Sequence, residues 1–447
     1  KAAAKPNSVA KGKQKERALT PPPNRLMSTK AKSEKQPSTA VNPKSTPLSP
    51  LPSAFKIVAG SYEKLLYGLE GTVSASSSED LTFSLKPLFI FPAHVSCVKA
   101  VTASPQGGKW LATGSADEII KVWDLRRRRE IGGLMHHEGS VTHLSFPSRS
   151  HLLSASEDGT LCLFRARDWS VLRALKGHKG PVNSVAVHPS GKVALSVGKD
   201  KTLRMWDLMR GRASGSTKLG VEGELVRWST SGSLLVVQYQ KTIDVYSNDL
   251  TRLHTVIHPS RIQDVKFVQR VTGVDEVLLV AAEDKKVTVY DVGADCKIAP
   301  KPIAEFVGHE NRVKAMDTLR IALPIPSRPS TTILSTVSSD GNIHVYDLFA
   351  IPPPPTNAET AGGNEKPSIV PVAIYDSKGS RLTCVTLADG EISGDSVAVG
   401  DKRKRSDEEE NDGEAEVEWP SEQGDHEEEE EEEEENEEEE EEEEEEE

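Results

Sequence analysis

The chain has 447 residues, of which 36% are apolar and 5% aromatic. That is low for a chain that packs throughout, so part of it is expected never to join a core. The net charge of −14 is divided unevenly: residues 407–447 hold 30 acids and no Lys or Arg, which leaves the rest at +16. No apolar run approaches the ~20 residues of a membrane-spanning helix; "VLLVAA" (277–282) is among the longest. Cys97, Cys162, Cys296 and Cys384 are scattered with no CxxC, which argues against a disulfide framework or a zinc site and for reduced thiols in an intracellular protein.

In chain order, residues 1–52 come first. They open on Lys1, not Met, with no hydrophobic signal core nearby. The first 50 carry 11 Lys/Arg against Glu16 and Glu34, a net of +9, and almost no large apolar side chains. Such a Pro-, Ser- and Lys-rich arm cannot form a core; it reads as a solvated linker or as a nucleic-acid-binding or targeting arm.

A repeat occupies the next segment, taken as 53–400. "GSADEIIKVWD" (114–124), "ASEDGTLCLFR" (155–165), "VGKDKTLRMWD" (197–207), "AAEDKKVTVYD" (281–291) and "VSSDGNIHVYD" (337–347) align without a gap. Each sets an Asp (117, 158, 200, 284, 340) six residues before an aromatic (Trp123, Phe164, Trp206, Tyr290, Tyr346). "VVQYQKTIDVYS" (236–247) keeps Tyr246 but has Gln240 for the Asp, and "VAGSYEKLLYGLE" (58–70) has Glu63 and Leu69. Successive aromatics lie 41, 42, 40, 44 and 56 residues apart, the period of a propeller blade.

Each copy is preceded by His94, His137, His178, His258 or His309, with apolar residues at +4 and +7; Val221 and Lys378 stand in the histidine position of two weaker copies. The spacing predicts an inner strand a, a strand b, an Asp turn, a strand c and a looser strand d, seven times over. The fold class is therefore all-β, a seven-bladed propeller with tails outside it. The first copy lacks strand a and "RLTCVTLAD" (381–389) is a strand a without a blade, so the C-terminal strand is expected to complete blade 1. The insertions 320–330 and 351–365 read as loops.

These residues resemble WD repeats, in which a His, a strand-b Ser/Thr, the turn Asp and the strand-c Trp form one hydrogen-bonded chain. The resemblance implies one full set here: His94, Ser115, Asp117 and Trp123. Partial sets are His137, Ser156 and Asp158; His178, Asp200 and Trp206, with Gly198 in the Ser position; His258 and Asp284; and His309, Ser338 and Asp340. Buried His and Asp must satisfy one another, since an orphaned group costs roughly 1–3 kcal/mol. So Asp200 is read as architecture and not as half of a catalytic pair, and Asp207 as a cap on the end of its strand.

Chemistry is sparse. There is no GxxxxGK[ST], GxSxG or HExxH. "HPSGK" (188–192) joins strands a and b as a β-turn, with no helix N-terminus to receive phosphate. His136 and His137 diverge along extended chain and do not suit a shared metal. No enzyme and no cofactor is expected. Binding is the better reading: the face made by a–b and c–d loops gathers Lys109, Arg126, Arg127, Arg128, Arg129, Arg149, Lys192, Arg210 and Arg212 from three neighbouring blades. Such a patch neutralises phosphates, and with no aromatics interleaved it would bind nucleic-acid backbone, not bases. The same charges could equally form a solvated rim.

The last segment, 401–447, starts with Lys402, Arg403, Lys404 and Arg405, suited to a nuclear import signal. Ser406 before Asp-Glu-Glu suits an acid-directed phosphosite. The poly-Glu run should repel itself into an extended, disordered tail, there to shield the basic arm, to engage basic proteins or to keep the chain soluble.

Longer stretches are similar to one WD-repeat family, the p21-activated-kinase-interacting proteins and their fungal counterpart, the maintenance-of-killer large-subunit assembly factor. "VAGSYEKLLYGLE", "HHEGSVTHLSF", "RSHLLSASEDGTLCLFRARDW", "GHKGPVNSVAVHPSGKVALSVGKDKTLRMWDLMRGR", "HENRVKAM" and "SRLTCVTLADG" carry it, across most of residues 57–390. The resemblance implies a non-enzymatic nucleolar assembly factor on precursors of the 60S subunit, monomeric within a large particle of ribosomal proteins, assembly factors and pre-rRNA, with no membrane partner. It also implies a kinase-binding alternative, inhibition of a p21-activated kinase. A third class, substrate receptor of a cullin–RING ligase, rests only on "WDLR" (123–126). Poly-Glu stands where animal members have a Lys-rich C-terminus, which moves the expected RNA contact to the N-terminal arm or a ring face.

Overall fold

The structure, a computed structural model, describes residues 51–75, 81–273, 275–293, 299–353 and 366–390. The arm to residue 50, Cys296, Lys402–Arg405, Ser406 and the acidic run lie outside them. The described residues form seven sheets around one axis, antiparallel except for one short strand. Blades 2 to 5 are built in chain order from consecutive strands, as in blade 4: Val182–Val187, Val193–Gly198, Thr202–Asp207 and Arg212–Lys218.

Blade 1 takes its inner strand from the far end of the chain. Leu382–Asp389 pairs antiparallel with Ala54–Ser61, from Phe55 opposite Asp389 to Ser61 opposite Leu382. The reason lies in the sequence pattern. Leu382, Val385 and Leu387 point into the apolar layer between blades 7 and 1, while Cys384 and Ala388 point into the one between blades 1 and 2. The whole core has this form: seven apolar clusters, each lying between two adjacent blades.

The repeat shows even in its irregularities. In blades 2 to 6 the c–d pairing slips beside the strand-c aromatic, at Trp123, Phe164, Trp206, Tyr246 and Tyr290. A bulge there re-aims the ring into the inter-blade layer.

One loop of the sequence reading is corrected, while most of the other, 354–365 of the insertion 351–365, lies outside the described residues. Residues 320–330 are not a loop but the tip of an extended hairpin, Val313–Ile325 with Arg328–Ser338. Buried Ile321, Leu323 and Ile325 alternate along it, and Pro324 falls where the register slips, which gave the stretch its loop-like composition. Past the second insertion, Ser368–Ile369 adds a fifth, parallel strand to blade 6, and Ala373–Asp376 is the outer strand of blade 7.

Candidate functional site

The repeated polar residues meet inside each blade. In blade 4, Trp206 Nε1–H donates to Ser196 Oγ (2.7 Å), which lies 2.6 Å from His178 Nε2. His178 Nδ1 is 2.7 Å from Asp200 Oδ2, and that oxygen also accepts Lys179 N–H. Asp200 Oδ1 accepts N–H and O–H of Thr202, closing the b–c turn. Burial pulls the imidazoles of His94, His137 and His178 below their ordinary value against their Asp partners, so they are neutral and donate through Nδ1. Burial alone would raise the carboxyls of Asp117, Asp158 and Asp200, but His and turn hydrogen bonds outweigh it and hold all three low. Both lone-pair sets of each Asp are occupied within its own blade.

The strand-b hydroxyl is not the one expected. Thr113, Ser154, Ser196 and Thr336 contact the histidines, at 2.6–2.8 Å. Ser115, Ser156 and Ser338, two residues later, instead accept the N–H of Asp117, Asp158 and Asp340. Both positions share a strand face; only the one four residues before the Asp lies within reach of Nε2. The full set therefore occurs in blade 2 and also in blade 4, where Gly198 replaces only the turn serine. In blade 3 Phe164 leaves Ser154 without an indole donor. In blade 6 Val280 stands in the hydroxyl position, His258 Nδ1 turns to Tyr290 Oη (3.0 Å), and Nε2 lies 3.4 Å from Asp284. In blade 7 His309 lies 3.4 Å from Asp340. Asp207 caps its strand by accepting N–H of Met209 and Arg210, as Asp124 does for Arg126 and Arg127.

Cys162 and Cys384 are buried, and burial pushes their thiols up to about 12 and about 11, so neither is a nucleophile at neutral pH. Strand-a side chains line a central cavity of about 560 Å³ that sequence reasoning missed. Around its wall Arg227 reaches His143 Nε2 (2.9 Å) and Asp264 (3.3 Å), Asp264 accepts Met316 N–H (3.0 Å), and Lys266 pairs with Asp317. Asp317 in turn accepts Leu387 N–H at 2.7 Å, tying blade 7 to the closing strand. Burial drives His143 down to about 3, helped by Arg227, and pushes Asp264 up. The signal was one charge set among the apolar residues of an inner strand, as Lys266 is between Val265 and Phe267. The wall reads as an inter-blade tie, its charges consumed by one another.

Exposed charge lies on the outer face. Lys109, Arg126–Arg128, Arg149, Lys192 and Arg210 occupy a–b and c–d loops of blades 2 to 4, Arg129 and Arg212 start strands d, and all nine are exposed. Arg127 and Arg210 make only long pairs with Asp124 (4.0 Å) and Asp207 (3.8 Å), worth little in solvent. The face is not free of aromatics, which corrects the sequence reading. Lys109 Nζ lies 4.5 Å over the Trp110 ring, and Trp110 meets Trp169 edge-on at 5.6 Å. Trp169 comes from the c–d loop of blade 3, so the pair forms only when two blades are side by side.

A closed ring whose interior polar residues are consumed by one another, with a charged exterior, defines a WD-repeat propeller, a protein-binding scaffold. The WD domain, G-beta repeat model matches residues 85–124, 128–165, 169–207 and 300–347. The chain is 36% identical over 295 residues to the p21-activated protein kinase-interacting protein 1-like protein of Danio rerio, covering 66% of this chain and 73% of that one. It is 35% identical to human p21-activated protein kinase-interacting protein 1 (66% and 70%) and 29% to Protein MAK11 of Saccharomyces cerevisiae (76% and 84%). The chain belongs to the p21-activated protein kinase-interacting protein 1 family of WD-repeat propellers.

Proposed function

We propose that this chain is a non-enzymatic, nucleolar assembly factor for precursors of the 60S ribosomal subunit. On this reading the ring presents ribosomal or assembly proteins to one another while the rim of blades 2 to 4 holds pre-rRNA backbone. The likeness to Protein MAK11 supports the pathway, and the observation that carries the contact is nine exposed cations gathered on one face from three adjacent blades. Trp110 and Trp169 add ring edges beside Lys109, which suits unpaired RNA better than duplex. The alternative, a regulator that binds and inhibits a p21-activated kinase, is favoured by the names of the animal relatives and of Shk1 kinase-binding protein 15 of Schizosaccharomyces pombe.

Affinity purification of the full chain separates the two. Recovery of large-subunit ribosomal proteins with pre-rRNA supports the first reading; recovery of kinases without them replaces it with the second. Changing Arg126–Arg129 together to Glu should weaken RNA binding by a hundredfold or more at physiological salt, because about four phosphate contacts are lost. Unchanged RNA affinity and particle association would remove the rim from the proposal.

A further inference from the structure

Between blades 1 and 2, opening on the cationic face, lies an apolar cavity of about 120 Å³. Leu66, Phe89, Phe91, Leu111, Trp123 and Leu125 wall it together with Arg128 and with Asp124, whose carboxylate is engaged by the N–H groups of Arg126 and Arg127. Its floor is fully buried, while Phe89 and Phe91 remain partly exposed. At about 120 Å³ it is smaller than the roughly 150 Å³ dry cavity that takes up benzene, so it suits one edge of an aromatic ring, the remainder lying against the partly exposed Phe89 and Phe91. Arg128 is exposed and makes no ion pair among the described residues, so it is available to an acidic group beside such a ring.

The chain supplies an occupant of that chemistry close by. Strand a of blade 1 ends at Asp389, whose carboxylate accepts Gly107 N–H in the a–b loop of blade 2, and Gly390 N–H donates to Ala54 O at 2.9 Å. The C-terminal segment thus leaves the ring on the cationic face, beside the loops that carry Lys109 and Arg126–Arg128. Past it, residues 407–447 contain one Phe, Tyr or Trp: Trp419, within "GEAEVEWPSE" (413–422). Glu414, Glu416, Glu418 and Glu422 surround it, opposite in sign to Arg126–Arg129. Trp419 lies 29 positions beyond Gly390, which at roughly 3.4 Å each is ample reach to a cavity in the adjoining blade interface.

We propose that Trp419 docks in this cavity, with its flanking glutamates on Arg126–Arg129, so that the acidic segment covers the cationic rim in the resting protein. Tethering gives such a contact an effective concentration on the order of mM, so a weak motif suffices. The contact is intramolecular and does not depend on any RNA at the rim; where RNA binds there, the segment competes with it.

The test uses full-length chains and a fluorescent peptide of residues 412–424. The W419A chain, its cavity vacated, should bind the peptide at least tenfold more tightly than the natural chain, whose own segment occupies the site. Binding to W419A should vanish when R128E is added and when the peptide carries W419A. Equal affinity of the natural and W419A chains would overturn the tethered contact. So would no binding to either, or binding that survives R128E, since the site would then be elsewhere. Every chain is checked for an unaltered melting temperature, and Arg128 is exposed enough for R128E to fold. The peptide readout is taken without RNA, so unchanged RNA affinity in the rim variants, which would sink the RNA contact, leaves it unmoved and the two proposals fail separately.

Discussion

At the residue scale, the turn that carries each Asp requires a left-handed residue directly after it. That residue is Glu118 (φ 68°), Gly159 (86°), Lys201 (62°), Lys285 (71°) or Gly341 (90°). Gly is at ease there, whereas a side chain costs about 1 kcal/mol or more. Lys201→Gly should therefore stabilise the ring by about 0.5–1 kcal/mol, read as a raised midpoint in chemical denaturation. An unchanged or lowered midpoint would mean that the lysine side chain compensates its own strain. The hydroxyl positions separate in the same assay. Thr113→Ala strands the Trp123 indole and His94 Nε2 in the interior, a loss of about 2–4 kcal/mol, while Ser115→Ala removes one turn bond, about 1 kcal/mol. Equal losses would restore Ser115 to the role the sequence first implied. That misassignment has a physical source: two hydroxyls on one strand face differ only in reach, which no spacing rule encodes.

At the level of strands and turns, the imidazoles make the blades acid-sensitive. His94, His137 and His178 are held below their ordinary value by burial, and His344 is pushed down to about 4 by burial and by His309 stacked at 3.8 Å. The unfolded chain takes up these protons near pH 6.5, so their contribution is complete above that pH and shrinks as pH falls below it. The low carboxyls of Asp117, Asp158 and Asp200 act later, their contribution being lost only as pH falls through the folded values. The melting temperature should drop from pH 7 to pH 5, chiefly through histidine, and His344→Phe should flatten the profile between pH 6.5 and 4. A profile that H344F leaves unchanged would show that the stacked pair does not set it. Strand boundaries, by contrast, were legible in the sequence wherever Val and Leu alternate between an Asp turn and a His. They were illegible in the hairpin at 320–330, because three prolines hide an alternation that only the packing of Ile321 against blade 1 makes evident.

For the whole ring, closure is the property on which every blade depends. Leu382–Asp389 fills two inter-blade layers at once and receives Asp317 from blade 7 through Leu387 N–H and the Thr386 hydroxyl (3.1 Å). Thr383 adds a hydrogen bond to Val98 O of blade 2 (2.5 Å), so one strand is bonded to both neighbours as well as to its own sheet. Burial of Leu382, Val385 and Leu387 alone contributes about 1.5–3 kcal/mol each. The sum approaches the 5–15 kcal/mol that holds a typical domain folded. Ending the chain at residue 380 should therefore abolish the cooperative melt and drive aggregation through the open edges of blade 1, whereas ending it at residue 390 should leave the melting temperature within a few degrees. Size-exclusion chromatography with calorimetry on the two truncations decides it. A monomeric 1–380 chain with an unshifted transition would mean that the five undisturbed inter-blade layers hold the ring without its clasp.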